Sequence, residues 1–568
     1  MDNNKLAVLC EKTQEYLDSL DRQNLPTPAQ IADDIIGIIA TSYALRNAGM
    51  MNNKDNKWHI PDTLEPVQIA MILTALYPIK NISCLGDSSE TDYDLLGIYQ
   101  EDGPEKGIYS TSDRAFSRLC RQLHPGLTKQ QLEEVRSQVS DRVARVPRCL
   151  ERNLVPVNNG IFDFDTKQLL PFTPDKVFLT KCRVDYVPNA VSPVIHNQDD
   201  GTDWELEAWM KELSDDPGVP ELFWEIMGAI IRPNVRWNKS AWFYNDRGEN
   251  GKGTLCALMR NLCGHGNHAG IKLDDFSKEF LLEPLIRVSA VITDENDTEV
   301  YIDRVANLKA VITNDIIQVN RKFKKPIAYQ FRGFMVQCIN GMPKVRDKSD
   351  SFYRRQLFVP FRKCFTGVAR TYIKDDYIHR KDVLEYALCR VLNMNYYKLS
   401  EPPACKEALA EYQEFNDPMR QFWNEHEDKF AWDLLPFGFL YDLYKAWLAR
   451  NAPKSSPVSK NRFISQLENL TVGSTVWEMP PKGTDGKYRK YRSNNRMNAI
   501  ESLIMEYNLT EWSDLGYSGN NPTLRYRPRQ LSISYRGLIR KNPLQPQAIP
   551  VIQQQPGKRD EPGPQPEC

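Results

Sequence analysis

No two cysteines in this chain are spaced as CxxC, although there are 12 of them in 568 residues. That absence removes the usual zinc-ribbon and redox frameworks. Scattered through apolar and helical stretches, the cysteines fit buried free thiols of a reducing cytoplasm better than disulfides. One tight grouping, Cys256, Cys263, His265 and His268, matches no standard zinc spacing and is interrupted by glycines, so loop and helix packing explain it better. No apolar run approaches the ~20 residues that span a membrane, and no N-terminal signal pattern is present, so no membrane partner is expected. Neither sign of charge dominates: 73 Lys and Arg face 74 Asp and Glu, a net charge of −1. Global charge therefore names no partner, and any nucleic-acid surface must come from local patches. Internal repeats are missing too, which sets solenoid architectures aside.

What is present is enough sequence for three or four domains at ~150 residues each. Residues 1–85 read as helical, with Thr27-Pro28 as a helix start and Ile31, Ile35, Ile36 and Ile39 at helical spacing. Residues 86–200 read as mixed α/β, including a strand–turn–strand over Val155–Asp165. Asp92 and Asp94 resemble half of a metal-binding carboxylate set, but no third carboxylate or histidine motif follows, and packing or surface roles account for them. Residues 201–365 hold the candidate core, 366–404 a helical connector, 405–492 three helices and a hairpin, 493–541 a basic region, and 542–568 a Pro- and Gln-rich tail without apolar periodicity, expected to be disordered.

The core is organised around AWFYNDRGENGKGT, residues 241–254. An apolar strand, a glycine loop, a lysine and a helix, in that order, form the layout of a phosphate-binding loop. Gly248, Glu249, Asn250, Gly251, Lys252, Gly253 and Thr254 are the candidate nucleotide-binding residues: backbone N–H groups cradle phosphate oxygens, and Lys252 supplies a point charge. The strict motif is broken at Asp246, where it wants Gly, and at Gly253, where it wants a hydroxyl, which Thr254 offers one place later.

Downstream, Val288–Thr293 reads as a buried strand ending in Asp294 and Glu295, suited to holding magnesium and polarising water respectively. Val319–Gln330 reads as a hairpin whose tip carries Arg321, Lys322, Phe323, Lys324 and Lys325, a basic and aromatic set suited to a single strand of nucleic acid. Phe334–Ile339 reads as a strand ending at Asn340, and Arg354-Arg355 precedes another.

Phosphate loop, Asp-Glu, basic hairpin, strand with terminal Asn, then Arg-Arg: this order resembles the superfamily 3 helicases, in the branch of phage, plasmid and poxvirus primase-helicases. The segment Val155–Pro188, just before the core, is similar to the domain that precedes the helicase there. The resemblance implies an α/β AAA+ P-loop NTPase core using ATP or another NTP with Mg2+ at Thr254 and Asp294. It makes Glu295 the base, Asn340 the polar sensor, and Arg354 or Arg355 a finger reaching a neighbouring subunit. It further implies a hexameric ring drawing single-stranded or forked DNA 3′→5′ past the hairpin, in the host cytoplasm. No primase domain is recognisable, so a separate primase or other replication protein is an expected partner.

In residues 405–492 the three helices and a hairpin, Val472–Trp477 with Lys487–Tyr491, read as a winged helix. Lys460 and Arg462 lie on the outer face of its third helix, facing DNA or a protein. Two other readings stay open: an origin-binding or remodelling ATPase without processive unwinding, and a P-loop phosphotransferase, which leaves Glu295, Asn340 and the hairpin unexplained.

Overall fold

The computed structural model describes residues 3–49, 57–85, 94–245, 248–297, 301–322, 324–365, 367, 370–451, 457–514, 516–519 and 532–543. Asp92, Asp246, Phe323 and the tail from 544 onward lie outside these residues, as does the side chain of Lys324. The fold is mixed α/β and divides into two units, residues 1–412 and 413–568.

In the first unit, Thr27 caps the helix Pro28–Ala48 through a capping box with Gln30, and Ile31, Ile35 and Ile39 are buried. They pack with Ile69 and Leu73 of Pro66–Leu76, Phe116 of Asp113–Leu123, and Val135 and Val139 of Lys129–Arg142. Strand Ile79–Ser83 pairs antiparallel with Leu95–Tyr99 and parallel with Arg145–Pro147, so one sheet joins the segments 1–85 and 86–200. Asp94 is ion-paired to Arg145 of that sheet, which gives it a structural partner. A three-stranded meander follows, Leu154–Val157, Gly160–Asp163 and Gln168–Leu170. A side chain at Gly160 would press on the Leu170 carbonyl at 2.6 Å, so the close strand approach needs glycine there.

The unit is built on five parallel strands: β1 (Ser240–Tyr244), β2 (His268–Ala269), β3 (Ala290–Thr293), β4 (Phe334–Ile339) and β5 (Gln356–Pro360), in the spatial order β2-β3-β4-β1-β5. Every residue of β3, β4 and β5 is buried, as expected for a parallel sheet covered on both faces. Alternate side chains divide between two cores. Ala241, Phe243, Ala290, Ile292, Val336, Cys338, Leu357 and Val359 join the core that includes Phe223, Leu258 and Leu388 of the helices Val219–Ile231, Lys252–Cys263 and Lys381–Asn393. Trp242, Val291, Met335, Ile339 and Phe358 face the opposite way, with Leu308 and Tyr412.

In the second unit, helices Pro418–His426, Phe437–Asn451 and Lys460–Thr471 share a core containing Phe422, Trp447, Phe463 and Leu467. The strand partners differ from the sequence expectation. Trp477–Glu478 pairs with Gly537–Arg540, which also pairs with Leu434–Pro436, while Lys482 and Tyr488 share one isolated bridge. Gly537–Arg540 contributes buried Leu538 and Ile539 to the core, so it outcompetes the exposed, charged Lys487-to-Lys490 run for the buried strand edge.

Glu501 is fully buried in this unit and accepts the N–H groups of Ala431 and Trp432. Burial pushes its carboxyl up from 4.5 to about 7, opposed by those N–H groups and by Arg540. The folded state thus holds a proton that the unfolded chain loses near pH 4.5. Stability is full below that value and falls on the order of 3 kcal/mol as pH rises to 7. Glu501→Gln is expected to flatten the pH dependence of the unfolding midpoint of this unit and to exceed the wild type in stability at pH 8. Parallel pH profiles for the two proteins would contradict this.

Candidate functional site

β1 is the switch point of the sheet. The chain leaves it for the outer strand β2, returns through β3 and β4, and ends in β5 on the other side of β1. Ligands of open α/β sheets bind in the crevice outside the carboxyl ends of the strands at such a point. The glycine loop leaves β1 at that edge. Asp294-Glu295 leaves β3 there, and Asn340 leaves β4, whose last residue Ile339 is level with Tyr244 and accepts the Asn245 N–H at 3.3 Å.

The loop is tightly specified. Glu249 is held at φ +53°, a left-handed conformation that a non-glycine residue adopts at a cost of about 1–3 kcal/mol. The Phe365 N–H donates to its carbonyl at 2.7 Å. Gly251 caps the helix Lys252–Cys263 at φ +84°, and a side chain there would meet Leu213 at 2.5 Å. Asn250 is buried, and its side chain accepts the Lys252 N–H at 3.3 Å. Lys252, on the first turn, is only 6% exposed. Gly248 sits in open space, its carbonyl accepting from the Cys364 thiol.

Gly253 brings loop and acidic strand together: its Cβ, if present, would lie 3.4 Å from an Asp294 carboxylate oxygen and 3.7 Å from Lys374 Nζ. Asp294 also pairs with Arg260, two turns along the same helix, at 3.4 Å. Glu295 is exposed. Asn296, the next residue, is buried and pins the end of β3: it donates to the Gln337 side chain and the Cys338 carbonyl, each at 2.9 Å, and accepts the Leu273 N–H. Cys256 and Cys338 lie sulfur to sulfur at 3.3 Å beneath Asp294; that contact and burial push the Cys256 thiol well up. Cys263, His265 and His268 take no part in that cluster.

A cavity of about 240 Å3 adjoins the loop. Glu249, Gly251 and Thr254 form one wall, and Trp209, Leu213, Phe365, Arg370, Thr371, Ile373, Lys374 and Asp375 the rest. Sequence reasoning missed these eight. They come from segments before 214 and after 364, and no local pattern marks them. A larger cleft, about 1100 Å3, contains none of the candidate residues.

The other candidates lie elsewhere. Ile316–Arg321 and Lys324–Gln330 form an antiparallel hairpin with a bulge near its tip. Ile317, Val319, Ile327 and Tyr329 are buried on one face, while Lys322 and Lys325 are exposed and Arg321 donates to the Lys325 carbonyl. Arg354 and Arg355 immediately precede β5 and so lie at the amino edge of the sheet, opposite the glycine loop. Arg354 is exposed, whereas Arg355 folds back onto the Ser351 carbonyl and hydroxyl. In the second unit, Lys460 and Arg462 are exposed at the start of their helix.

Family comparisons bear on all three parts of the chain. Residues 98–215 match a D5 N-terminal-like family and residues 414–502 a poxvirus D5 protein-like family. The D5 matches point to the D5-like primase-helicases. Between the two D5-like segments, residues 243–355 match a family of unknown function, DUF5906, and this segment holds the glycine loop, Asp294-Glu295, the hairpin and Asn340. No curated protein matches. Among solved structures, two apo forms of the NrS-1 C-terminal region are similar at 15% identity and a TM-score of 0.39, one over 84% of this chain and 99% of that one, the other over 75% and 98%. That likeness is too slight to transfer anything to this chain. No helix among the described residues is long and apolar enough to cross a membrane.

Proposed function

We propose that this chain is an NTP-driven replicative DNA helicase of a phage or related mobile element, a ring-forming AAA+ motor of superfamily 3 working in the host cytoplasm. The D5-like matches support a viral or phage replication role. The observation that carries the reading is the carboxyl edge of the five-stranded sheet, where the glycine loop, Lys252, Asp294, Glu295 and Asn340 emerge side by side. The nucleotide's phosphates would lie on the loop and the helix N-terminus, and its nucleoside in the adjoining cavity, against Leu213, Phe365 and Ile373. The connector brings Lys374, Asp375 and Arg370 to this cavity, Arg370 ion-paired to Glu212.

The donors around Gly253 fit magnesium: a carboxylate from Asp294 and a hydroxyl from Thr254 are the hard oxygen ligands it takes. Bound there, it would neutralise charge on the phosphates. Glu295, exposed beside them, would accept a proton from the attacking water, and Asn340 would orient that water or the last phosphate. The hairpin would grip single-stranded DNA within a hexameric ring. The winged helix expected over residues 405–492, with Gly537–Arg540 in place of the expected hairpin partner, would present Lys460, Arg462 and the basic residues Lys487, Arg489 and Lys490 to DNA or to a partner such as a separate primase.

ATP-dependent strand displacement on a forked duplex tests the reading. The double variant Lys322→Ala/Lys325→Ala is expected to lose displacement, keep most of its basal ATPase, and flatten the logarithmic salt dependence of single-strand binding by about 1.4, roughly 0.7 for each phosphate contact. A hairpin variant that unwinds at the normal rate would place the DNA grip on another surface. ATP hydrolysis without displacement by the wild type would favour an origin-remodelling ATPase.

A further inference from the structure

The helix Lys252–Cys263 presents Gly253, Cys256 and Arg260 along one face, and that face meets the carboxyl ends of β3 and β4. Cys256 and Cys338 touch there through their sulfurs. An Asp294 carboxylate oxygen completes a group in which all three donor atoms lie within 4.8 Å of one another. Among the described residues this is the one convergence of three or more histidine, cysteine or acidic donors tight enough to hold a metal ion.

We infer that Cys256, Cys338 and Asp294 bind a thiophilic divalent cation of the zinc class. Two sulfurs and one oxygen are a soft donor set, matched to zinc, cobalt or cadmium and poorly matched to magnesium. Zinc lies about 2.3 Å from sulfur and about 2.0–2.2 Å from carboxylate oxygen, so a cation seated among the three donors parts the sulfurs slightly, draws the Asp294 carboxylate inward and takes it from its ion pair with Arg260. Three elements supply the ligands, and a tetrahedral ion keeps its fourth position for water. Both cysteines are buried while the Asp294 side chain is 32% exposed, so the cation enters from the nucleotide edge. Binding exchanges the two thiol protons, released to solvent, for the cation, leaving two thiolates and a carboxylate around it.

A cation held this way occupies the carboxylate assigned above to magnesium, so zinc is an inhibitor of hydrolysis. That consequence rests on the nucleotide reading; the binding does not.

Cobalt(II) titration of the full chain separates the two. The wild type is expected to develop a near-ultraviolet cobalt–thiolate charge-transfer band that saturates at one equivalent. Cys256→Ala and Cys338→Ala should each lose most of it, with Cys338→Ser as a near-isosteric control on folding. Absence of the band in the wild type, or an equal band in the variants, overturns the site. Zinc should lower wild-type ATP hydrolysis at least tenfold, reversibly with chelator, and leave Cys338→Ala hydrolysing in its presence. A cobalt band together with zinc-insensitive hydrolysis removes Asp294 from the ligand set. If the wild type hydrolyses no nucleotide at all, the helicase reading fails and the cobalt band alone decides the cation site.

Discussion

Glu295→Gln is expected to bind ATP as tightly as the wild type and to hydrolyse it about 10²–10⁴-fold more slowly, the range a positioned general base contributes. The substitution keeps the length of the side chain and removes its capacity to take a proton. Glu295 is exposed at the end of β3, so its loss leaves no buried group unsatisfied, and a fall in rate is not a folding defect. Lys252→Ala should behave differently. Lys252 is buried on the first turn of the loop helix; on the proposed reading its charge would face the phosphates before any chemistry, so binding and hydrolysis should fall together. Fluorescent-nucleotide binding measured beside phosphate release separates the two variants. Wild-type turnover in Glu295→Gln would remove this residue from the chemistry, and unchanged affinity in Lys252→Ala would move the phosphates off the loop.

The contrast between these residues and their surroundings shows what the sequence makes legible. Strand, glycine loop and helix are local, so their residue types and spacing mark them without any knowledge of the fold. The hairpin is legible for the same reason: Ile317 and Val319 answer Ile327 and Tyr329 with period 2, and the charges collect at the turn. The opposite wall of the cavity is not. Phe365 joins the Glu249 carbonyl, and Lys374 approaches Gly253, only because β5 returns the chain to the neighbour position of β1. The buried Asn296 and Gln337 read in sequence as ordinary polar residues; their pairing depends on β3 and β4 being adjacent. In the second unit, Trp477–Glu478 takes its partner from Gly537–Arg540, about 60 residues on. Cys338, likewise, joins Cys256 across 82 positions, whereas the nearby His265 and His268, closer in sequence, do not.

The sheet also sharpens the choice between the two arginines, and the expected effect is large: Arg354→Ala should lower DNA-stimulated hydrolysis by about 10³-fold or more, the scale of an arginine finger. Both arginines precede β5, which runs parallel to β1 with Gln356 level with Ser240. The glycine loop leaves the far end of β1, five residues and so about 16 Å away at ~3.3 Å per residue. Neither guanidinium can close that distance along the edge of its own sheet, so a role in hydrolysis requires a neighbouring subunit. Arg355 is committed to Ser351, and its carbonyl accepts the Ser240 N–H at 2.8 Å; Arg355→Ala should therefore loosen the start of β5 and lower thermal stability more than it changes the rate per folded subunit. Arg354 is exposed and turned outward. Mixing Arg354→Ala subunits with Lys252→Ala subunits should restore part of the lost hydrolysis, because some interfaces then pair an intact loop with an intact arginine. Each variant alone should stay inactive at every concentration. If Arg354→Ala hydrolyses ATP at the wild-type rate, or if the mixture is no more active than its parts, the site is completed without this arginine.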